Sequence, residues 1–431
     1  MLQRCVLRFG AGVLLMHAVM SGMPLYAQRA PVPRMPGAGD PRTYLSVEPP
    51  DLEYAQAAAL LEVSTDTVLY ELRGQELWPP ASLTKLVTIY AALEAAEEGR
   101  FDLDRAEPVH PRAYASAVPP GSSLMFLGPD QVVNGRDLIR GLAISSGNDA
   151  AVEVALRVSG SIAAFHEEMN EVTRELGYPS FHFEDAAGLS AANRVSAVDF
   201  ARFARDLITR WPWLTENVFN LEAFTYPERS HYPTGGGGGS IRQFNRNGLV
   251  GSVRNVDGLK TGFIEESGYN IAVTADRDDR RLIVIVLGVS GATHSEGGER
   301  REHDAHALLE WGFSRFETTL LDVPAAEPIA LWGADRRTVV PTAASSAEVT
   351  IPLGRASEIS GRIEQPSNLW APVQEGSSVG TIRYTLDRTV IRDVPLTVDT
   401  AISEGRWLRR VYDRIRWWLH GLFGARTATA A

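Results

Sequence analysis

The sequence predicts an α+β protein in which an antiparallel sheet flanked by helices is followed by a small all-β sandwich and a C-terminal amphipathic helix. Strand patterns occur near residue 60 and again after residue 255, and they enclose a long helical stretch. The helix signal then vanishes between about residues 324 and 400. Apolar residues recur with a helical period near the end of the chain. Segregated helices and strands of this kind favour α+β architecture over an alternating α/β fold.

The first 27 residues have the layout of a secretory signal peptide. Two arginines precede an apolar run from Phe9 to about Met23, and the small residue Ala27 closes a cleavage site. A membrane anchor that stays on the protein is the alternative, although the run is shorter than the ~20 residues that span a bilayer. Residues 28–50 are rich in proline and are expected to form a flexible linker.

A first domain is expected over residues 51–318. Residues 57–63 and 68–72 predict a β-hairpin, a helix follows from Ser82, and residues 136–177 have helical character. Three consecutive antiparallel strands and a closing helix complete the pattern, at residues 255–264, 269–275, 282–289 and 301–313. The five glycines from Gly235 to Gly239 lack the features of a phosphate-binding loop and indicate a flexible loop.

A second domain is expected over residues 324–400. Short alternating runs at residues 338–340, 348–351 and 379–386 predict the strands of a small β-sandwich. Residues 404–424 combine apolar residues at helical spacing with several arginines and tryptophans. This pattern predicts an amphipathic helix that lies in a membrane interface, and packing of the helix on the β-domain is the alternative.

The composition restricts the chemistry. The net charge of −11 argues against nucleic-acid binding, and the single cysteine, Cys5, lies in the predicted signal peptide and excludes thiol chemistry in the exported chain. Of the 42 basic residues only Lys85 and Lys260 are lysines. Arginine replaces lysine in surface ion pairs but cannot serve as a base, so the two lysines are the first candidates for catalysis. No cofactor or metal is predicted, and we interpret the segment from His303 to His306 as a solvated helix face.

Both lysines fall inside a three-part motif set. Ser82-x-x-Lys85 opens a predicted helix, Ser146-Gly147-Asn148 lies between helical segments, and Lys260-Thr261-Gly262 lies in a predicted strand. The order and the location of these motifs match the serine acyl-transfer enzymes that use a lysine base. The Gly-x-Ser-x-Gly run at residues 376–380 is followed by a strand pattern instead of a helix, which argues against a nucleophile elbow there.

Here the sequence resembles the low-molecular-mass penicillin-binding proteins of the serine-type D-alanyl-D-alanine carboxypeptidase family. The resemblance extends from Tyr54 to Val398 and rests on these segments: 80–85 (PASLTK), 145–150 (SSGNDA), 245–249 (NRNGL), 256–262 (VDGLKTG), 311–313 (WGF) and 369–373 (LWAPV). It implies a penicillin-binding, β-lactamase-like transpeptidase domain followed by a C-terminal β-domain. It also implies a serine-type carboxypeptidase that removes the terminal D-alanine from peptidoglycan stem pentapeptides and is inhibited by β-lactams.

The resemblance assigns roles to the motif residues. Ser82 is the expected acyl-ester nucleophile, Lys85 the general base, Ser146 a proton relay and Asn148 a group that orients the substrate. The substrate-binding residues that it implies are Lys260, Thr261, Gly262, Phe263 through its backbone N–H, Arg246 and Arg301. Arg246 and Arg301 have surface ion pairs as their alternative role.

Two departures from the family pattern are visible. Phe263-Ile264 stands where many members have His-Thr, and Ala187 stands where relatives often have a histidine. A backbone donor at residue 263 survives the first change, whereas the side-chain contacts of the histidines are lost.

The predicted location is the periplasm, at the outer face of the inner membrane, with the C-terminal helix as the peripheral attachment. The same motifs also serve DD-endopeptidases and β-lactamases, and a non-enzymatic penicillin-binding scaffold is the alternative from another class. The predicted partners are peptidoglycan stem peptides, β-lactams as covalent inhibitors and the inner-membrane surface.

Overall fold

The structure, a computed structural model, describes residues 47–235, 239–345 and 347–424, with side chains as far as Trp417. The predicted signal peptide and most of the predicted linker lie outside the described residues, as does the middle of the glycine run.

The first region, up to residue 320, contains the helices α1 to α6 and most of the long strands. Its strands are β1 (Ala57–Glu62), β2 (Thr67–Leu72), β3 (Leu77–Trp78), β4 (Glu107–Pro108), β5 (Val132–Val133), β6 (Val195–Ser196), β7 (Ala223–Thr225), β8 (Arg242–Phe244), β9 (Val256–Ile264), β10 (Gly268–Arg277), β11 (Arg280–Val289) and β12 (Phe316–Leu320). Its α-helices are α1 (Thr84–Glu97), α2 (Gly135–Arg140), α3 (Asn148–Ser159), α4 (Ile162–Glu175), α5 (Ala197–Arg210) and α6 (His294–Arg315).

A five-stranded antiparallel sheet in the order β2-β1-β11-β10-β9 organises this region. Alternate residues of a strand face opposite sides of a sheet. In β11, Ile283 and Ile285 accordingly pack in the core that contains α1 and α5, and Val284 and Val286 pack in the core beneath α6. Both faces of the sheet are therefore covered, which explains why β11 reads as one continuous apolar run. The predicted hairpin and the three consecutive strands are confirmed.

The helical stretch after residue 135 is interrupted where the site motif lies. A π-helical turn at Gly141–Ser145 ends at Ser146, whose φ of 58° is left-handed and incompatible with continuing the helix. Helix α3 then begins at Asn148. The interruption places the Ser146-Gly147-Asn148 motif at a helix start, beside α1.

Helix α5 was not predicted from the sequence. Ser196 caps it by accepting the N–H of Asp199 at 3.2 Å, and its buried face is rich in phenylalanine and alanine.

Helix α6 was predicted to begin at Arg301 but begins at His294. The glycines at residues 297 and 298 weaken the helix signal, yet Gly297 is needed because a Cβ there would lie 2.1 Å from the Tyr269 ring.

The second region is built from short strands. They are β13 (Ile329–Trp332), β14 (Thr338–Val339), β15 (Thr342–Ala343), β16 (Glu348–Pro352), β17 (Ser360–Glu364), β18 (Asn368–Trp370), β19 (Ser378–Leu386) and β20 (Thr389–Thr397). They form a sheet β15-β20-β19-β17, a sheet β14-β13-β18 and the pair β12-β16, around two clusters of buried apolar residues. The predicted α+β class with a following β-domain is confirmed. Ser378 begins a strand, as expected.

Helix α7 (Trp407–Gly424) follows the β region, close to the predicted span. Its Asp413 carboxylate is buried and accepts the backbone N–H of Gly333 at 2.9 Å. The ring of Trp417 packs edge-on against Trp370, with 5.9 Å between centroids. Arg409 also donates to the Arg336 carbonyl at 2.9 Å, and the Arg416 guanidinium lies 5.5 Å from the centre of the Trp332 ring. Helix α7 is thus packed against the β region through polar, aromatic and cation–π contacts.

Candidate active site

The candidate nucleophile lies just before helix α1. Ser82 occupies a one-turn 3-10 helix, Ala81–Leu83, and its side chain is half-buried. The preceding Ala81 has a φ of 51°, a conformation that costs free energy and is concentrated at functional sites. A Cβ on Gly262 would lie 2.9 Å from the Ser82 nitrogen, so strand β9 runs directly beside the backbone of the nucleophile. This close approach explains the glycine of the Lys-Thr-Gly motif.

Lys85 lies one helical turn after Ser82 and is fully buried. Its Nζ donates to Ser82 Oγ at 3.0 Å, to Asn148 Oδ1 at 2.8 Å and to the Ala187 carbonyl at 2.6 Å. Burial lowers the pKa of Lys85 from its ordinary value of 10.5 to about 7. The positive charge of Arg246 lowers this pKa further, and the nearby carboxylates oppose both effects. A substantial share of Lys85 is therefore a neutral amine near pH 7.

The Ser-Gly-Asn motif contributes unequally to this cluster. Asn148, the first residue of α3, reaches Lys85 directly. Ser146 is also buried, but within the described residues its hydroxyl has no hydrogen-bond partner. The structure therefore brings Asn148 to the lysine, and the relay role of Ser146 stays a prediction.

Strand β9 carries the second lysine. Lys260 is buried, and its Nζ donates to the Thr261 carbonyl at 2.8 Å. Burial and the positive charges of Lys85, Arg246 and Arg301 together lower the pKa of Lys260 well below its ordinary value. The cations named in the sequence analysis therefore converge around Lys260.

The two arginines reach this cluster from different elements. Arg301 on α6 is buried and donates to the Gly262 carbonyl at 3.4 Å and to the Arg246 carbonyl at 3.3 Å. Arg246 is exposed, on the segment between β8 and β9. Among the described residues neither guanidinium, nor Lys260, forms an ion pair with a carboxylate. A cluster of positively charged side chains that form no ion pair is expected to bind an anion.

Phe263 follows the Lys-Thr-Gly motif and pairs with Tyr269 in the β9–β10 ladder. Its ring stacks on that of Tyr269 at 4.3 Å between centroids and contacts the imidazole of His294 edge-on at 4.9 Å. The phenylalanine side chain is thus engaged in an aromatic cluster, and the role of the backbone N–H as an oxyanion donor stays a prediction.

The interpretation of residues 303–306 as a solvated face is wrong for Asp304. This carboxylate is fully buried and accepts the backbone N–H groups of Glu53 at 3.2 Å, Tyr54 at 2.9 Å and Ala55 at 2.7 Å. It attaches the N-terminal segment to α6, a structural role that the local charge pattern does not reveal. Within the described residues, no group of three or more His, Cys, Asp or Glu side chains could hold a metal ion.

Two features of the site were missed. The Ala187 carbonyl, which contacts both Lys85 and Ser82, belongs to the backbone, and no residue type signals such a group. Asp149 directly follows the Ser146-Gly147-Asn148 motif, and no role was predicted for it. Its buried carboxylate accepts the N–H groups of Met125, Phe126 and Leu127 at 2.8 to 3.0 Å, and it holds that loop beside Asn148.

Comparison with known proteins agrees with this geometry. A family model described as D-alanyl-D-alanine carboxypeptidase matches residues 44–291, and one described as penicillin-binding protein 5, C-terminal domain, matches residues 322–404. The chain therefore belongs to the D-alanyl-D-alanine carboxypeptidase family of peptidases, which confirms the predicted family and enzyme class.

Several relatives are similar over most of their length. D-alanyl-D-alanine carboxypeptidase DacA of Escherichia coli is 35% identical over 378 residues, which cover 86% of this chain and 89% of that protein. DacC of the same organism is 34% identical, with 88% and 92% covered. The solved structure of penicillin binding protein 5 from Haemophilus influenzae superposes with a TM-score of 0.74 at 31% identity, covering 83% of this chain and 100% of that one.

Proposed function

We propose that this carboxypeptidase removes the terminal D-alanine from peptidoglycan stem pentapeptides through an acyl-enzyme on Ser82. The observation that carries the proposal is the contact of 3.0 Å between Ser82 Oγ and the Nζ of a buried lysine whose pKa lies at about 7. A serine hydroxyl needs an adjacent base before it can attack a carbonyl, and a base is most effective when its pKa lies near the working pH.

The hydrogen bonds of Lys85 prepare it to accept a proton. A neutral amine has two N–H groups and one lone pair. Asn148 Oδ1 and the Ala187 carbonyl are both acceptors and take the two N–H groups, at 2.8 and 2.6 Å. The lone pair is then left for Ser82. The hydroxyl proton passes to Nζ as Oγ bonds to the carbonyl carbon of the penultimate D-alanine, and the terminal D-alanine leaves with its amine protonated.

The remaining groups serve the substrate. Because Asn148 Oδ1 is occupied by Lys85, the amide nitrogen of Asn148 is the part that donates to a substrate carbonyl. The backbone N–H groups of Ser82 and Phe263 receive the developing oxyanion, and each such donor is worth about 3 kcal/mol. The cations around Lys260 receive the terminal carboxylate of the substrate. Ser146 passes a proton to the leaving amine and takes one from Lys85 Nζ, and water then hydrolyses the ester on Ser82.

Covalent labelling tests the nucleophile. We expect labelled penicillin to acylate Ser82, because its lactam carbonyl is attacked as the D-alanyl amide is, and peptide mass spectrometry identifies the modified residue. Ser82→Ala should abolish the adduct, and Ser378→Ala, in the Gly-x-Ser-x-Gly run at residues 376–380, should keep it. A label on another serine, or none on the folded protein, would refute the mechanism.

Two other reactions use the same residues, namely cleavage of peptide crosslinks and fast hydrolysis of the penicilloyl-enzyme. The relatives favour the carboxypeptidase. Penicillin-binding protein D2 from Listeria monocytogenes, solved in a cefotaxime-bound form, is 29% identical over 62% of this chain, which supports β-lactams as inhibitors. Steady-state rates on a D-Ala-D-Ala peptide, a crosslinked muropeptide and penicillin should be highest for the first substrate.

Attachment to the outer face of the inner membrane is the second part of the proposal. No helix within the described residues is long and apolar enough to cross a bilayer. Helix α7 exposes large apolar side chains on one side, namely Trp407, Leu408, Val411, Tyr412 and Ile415. Arg406, Arg414 and Arg416 are exposed beside them, whereas Arg409 and Arg410 are half-buried and bind the Arg336 carbonyl and the Glu404 carboxylate. An amphipathic helix with this composition binds in the headgroup region of anionic membranes.

We assign residues 1–27 to export, 51–318 to catalysis, 324–400 to a spacer domain and 404–424 to attachment.

Truncation tests this assignment. We expect a chain that ends after Ser403 to lose binding to anionic liposomes and to keep full activity on small peptides, because Ser82 and its partners lie outside α7. The full-length protein should cosediment with the liposomes less strongly as salt rises. If the truncated chain still cosediments, the attachment lies elsewhere in the protein.

A further inference from the structure

The turn that supplies the Ala187 carbonyl is organised by one carboxylate. Asp185 Oδ1 accepts the backbone N–H groups of Ala187 at 2.7 Å, Gly188 at 2.6 Å and Leu189 at 3.1 Å, and Oδ2 accepts that of Ser190 at 2.7 Å. Four donors on one carboxylate hold the turn in a single conformation, since a hydrogen bond to a charged group contributes about 1.5–3 kcal/mol. The turn therefore depends on Asp185 for its shape.

This turn is packed against the nucleophile. Gly188 has a φ of 82°, and a Cβ there would lie 1.9 Å from the Ala81 carbonyl oxygen, so the turn lies directly on the backbone that leads into Ser82. The Ala187 carbonyl consequently lies 2.6 Å from Lys85 Nζ and 3.4 Å from Ser82 Oγ. A shift of the turn would move the acceptor that orients the lysine.

Hydrogen bonds through Asn193 also connect the Asp185 carboxylate to helix α1. The Asn193 side chain is fully buried and donates through Nδ2 to Asp185 Oδ2 at 3.3 Å, to the Asp185 carbonyl at 3.2 Å and to Thr84 Oγ1 at 3.1 Å. Thr84 lies between Ser82 and Lys85 in the sequence. The carboxylate is thus connected to both sides of the Ser82–Lys85 contact, through the turn and through Asn193.

Asp185 also acts on Lys85 through its charge. Its negative charge raises the pKa of Lys85, as does that of Asp149 on α3, whereas burial and Arg246 lower it. Lys260 faces Lys85 from β9, and the positive charge of Lys85 lowers the pKa of Lys260. Removing the charge of Asp185 alone should therefore lower the pKa of Lys85.

We propose that Asp185 is a positioning residue for acylation. Its carboxylate holds the turn at residues 185–190 so that the Ala187 carbonyl orients Lys85 Nζ towards the Ser82 hydroxyl. This inference rests on the proposed role of Lys85 as the base. The Asp185 side chain touches no reacting atom. In this proposal it nevertheless fixes the position of the base and contributes to the charges that surround it.

The test measures the rate of penicillin acylation between pH 5 and 10 for the full-length protein and its variants. The wild-type rate should rise with pH through the pKa of Lys85 and then reach a plateau. Asp185→Asn, which keeps the size of the side chain and removes the charge, should shift this rise to lower pH. Asp185→Ala should lower the plateau by about 10- to 100-fold, because a displacement near 1 Å has effects of this size.

Glu184→Gln is the matched control. Glu184 is adjacent, carries the same charge and accepts the Ser190 hydroxyl at 3.0 Å, but it has no contact with the turn amides. Its profile should coincide with that of the wild type. The proposal is overturned if the acylation rate of Asp185→Asn rises at the same pH as that of the wild type. It is also overturned if the maximal acylation rate of Asp185→Ala equals that of the wild type, even if either variant melts at a lower temperature.

If Asp185→Ala does not fold, the profile of Asp185→Asn decides. Failure of the underlying mechanism is distinguishable from failure of this inference. If wild-type protein forms no adduct on Ser82, the proposed function fails. If it forms the adduct and the variants behave like the wild type, only the role of Asp185 fails.

Discussion

The two lysines of this chain lie in neighbouring pockets that differ in their charges. Lys85 on α1 has three hydrogen-bond acceptors within 3.0 Å, and two carboxylates oppose the loss of its proton. Lys260 on β9 has one backbone acceptor at 2.8 Å, and every charge that shifts its pKa is positive. The residue type is the same, and burial lowers the pKa of both.

The difference supports the two roles that we propose for one residue type, a base at Lys85 and an anion-binding group at Lys260. Acceptors around Lys85 fix the direction of its lone pair, which a base requires. Among the described residues Lys260, Arg246 and Arg301 form no ion pair with a carboxylate, which makes this pocket unfavourable until an anion enters it. We infer that the carboxylate of the substrate completes the second pocket, whereas the first is complete without the substrate.

The largest expected effect comes from removing the base. Lys85→Arg keeps the positive charge but cannot release a proton, so penicillin acylation should fall by about 10³-fold or more. Stopped-flow or quenched acylation assays measure the loss. Because arginine is larger than the buried lysine, Lys85→Met serves as a second variant of similar length.

Both variants should show the same loss while they remain folded at the assay temperature, as circular dichroism checks. Substantial acylation by either folded variant would mean that another group accepts the proton, and the contrast between the two pockets would then be lost.

An intermediate effect is expected at the anion pocket. Arg246→Ala should reduce kcat/KM for a D-Ala-D-Ala peptide by about 10-fold or more, because one charge-assisted hydrogen bond is lost. Hydrolysis of an activated ester without a carboxylate should change far less. The control is Arg242→Ala, another exposed arginine, whose guanidinium lies 5.2 Å from the Phe244 ring. Equal losses on both substrates would contradict the assigned role.

The last expected effect is a pH dependence of stability, and its sign follows from the pKa of Lys85. That pKa is about 7 in the folded chain, against an ordinary value of 10.5. Between these pH values the unfolded chain binds a proton that the folded chain does not, so stability rises with pH. The wild type should therefore gain stability relative to Lys85→Met from about pH 7 to 10, by at most about 1.4 kcal/mol per pH unit. Urea unfolding at several pH values measures this difference, and a constant difference would show that Lys85 titrates normally.

Much of the fold could be predicted because strong local patterns coincide with the final elements. From Leu282 to Val289, β11 is one apolar run because both faces of the sheet are covered, whereas β10 combines buried apolar residues with the buried polar residues Asn270 and Thr274. Helix α5 was not predicted, although Ser196 caps it and its buried residues, among them Phe200, Phe203 and Leu207, recur at helical spacing. The start of α6 was missed because Gly297 serves a contact with Tyr269, which local propensity does not register.

The sequence by itself determined the family and the motif residues, including the two lysines to which we assign the chemistry, because these depend on residue type and spacing. Only the tertiary structure decided what surrounds each lysine. The Ala187 carbonyl, the Asp185 carboxylate and the convergence of Arg246 with Arg301 come from segments far apart in the chain, and a backbone acceptor has no residue type of its own. A lysine becomes a base or an anion-binding group through neighbours that only folding brings together.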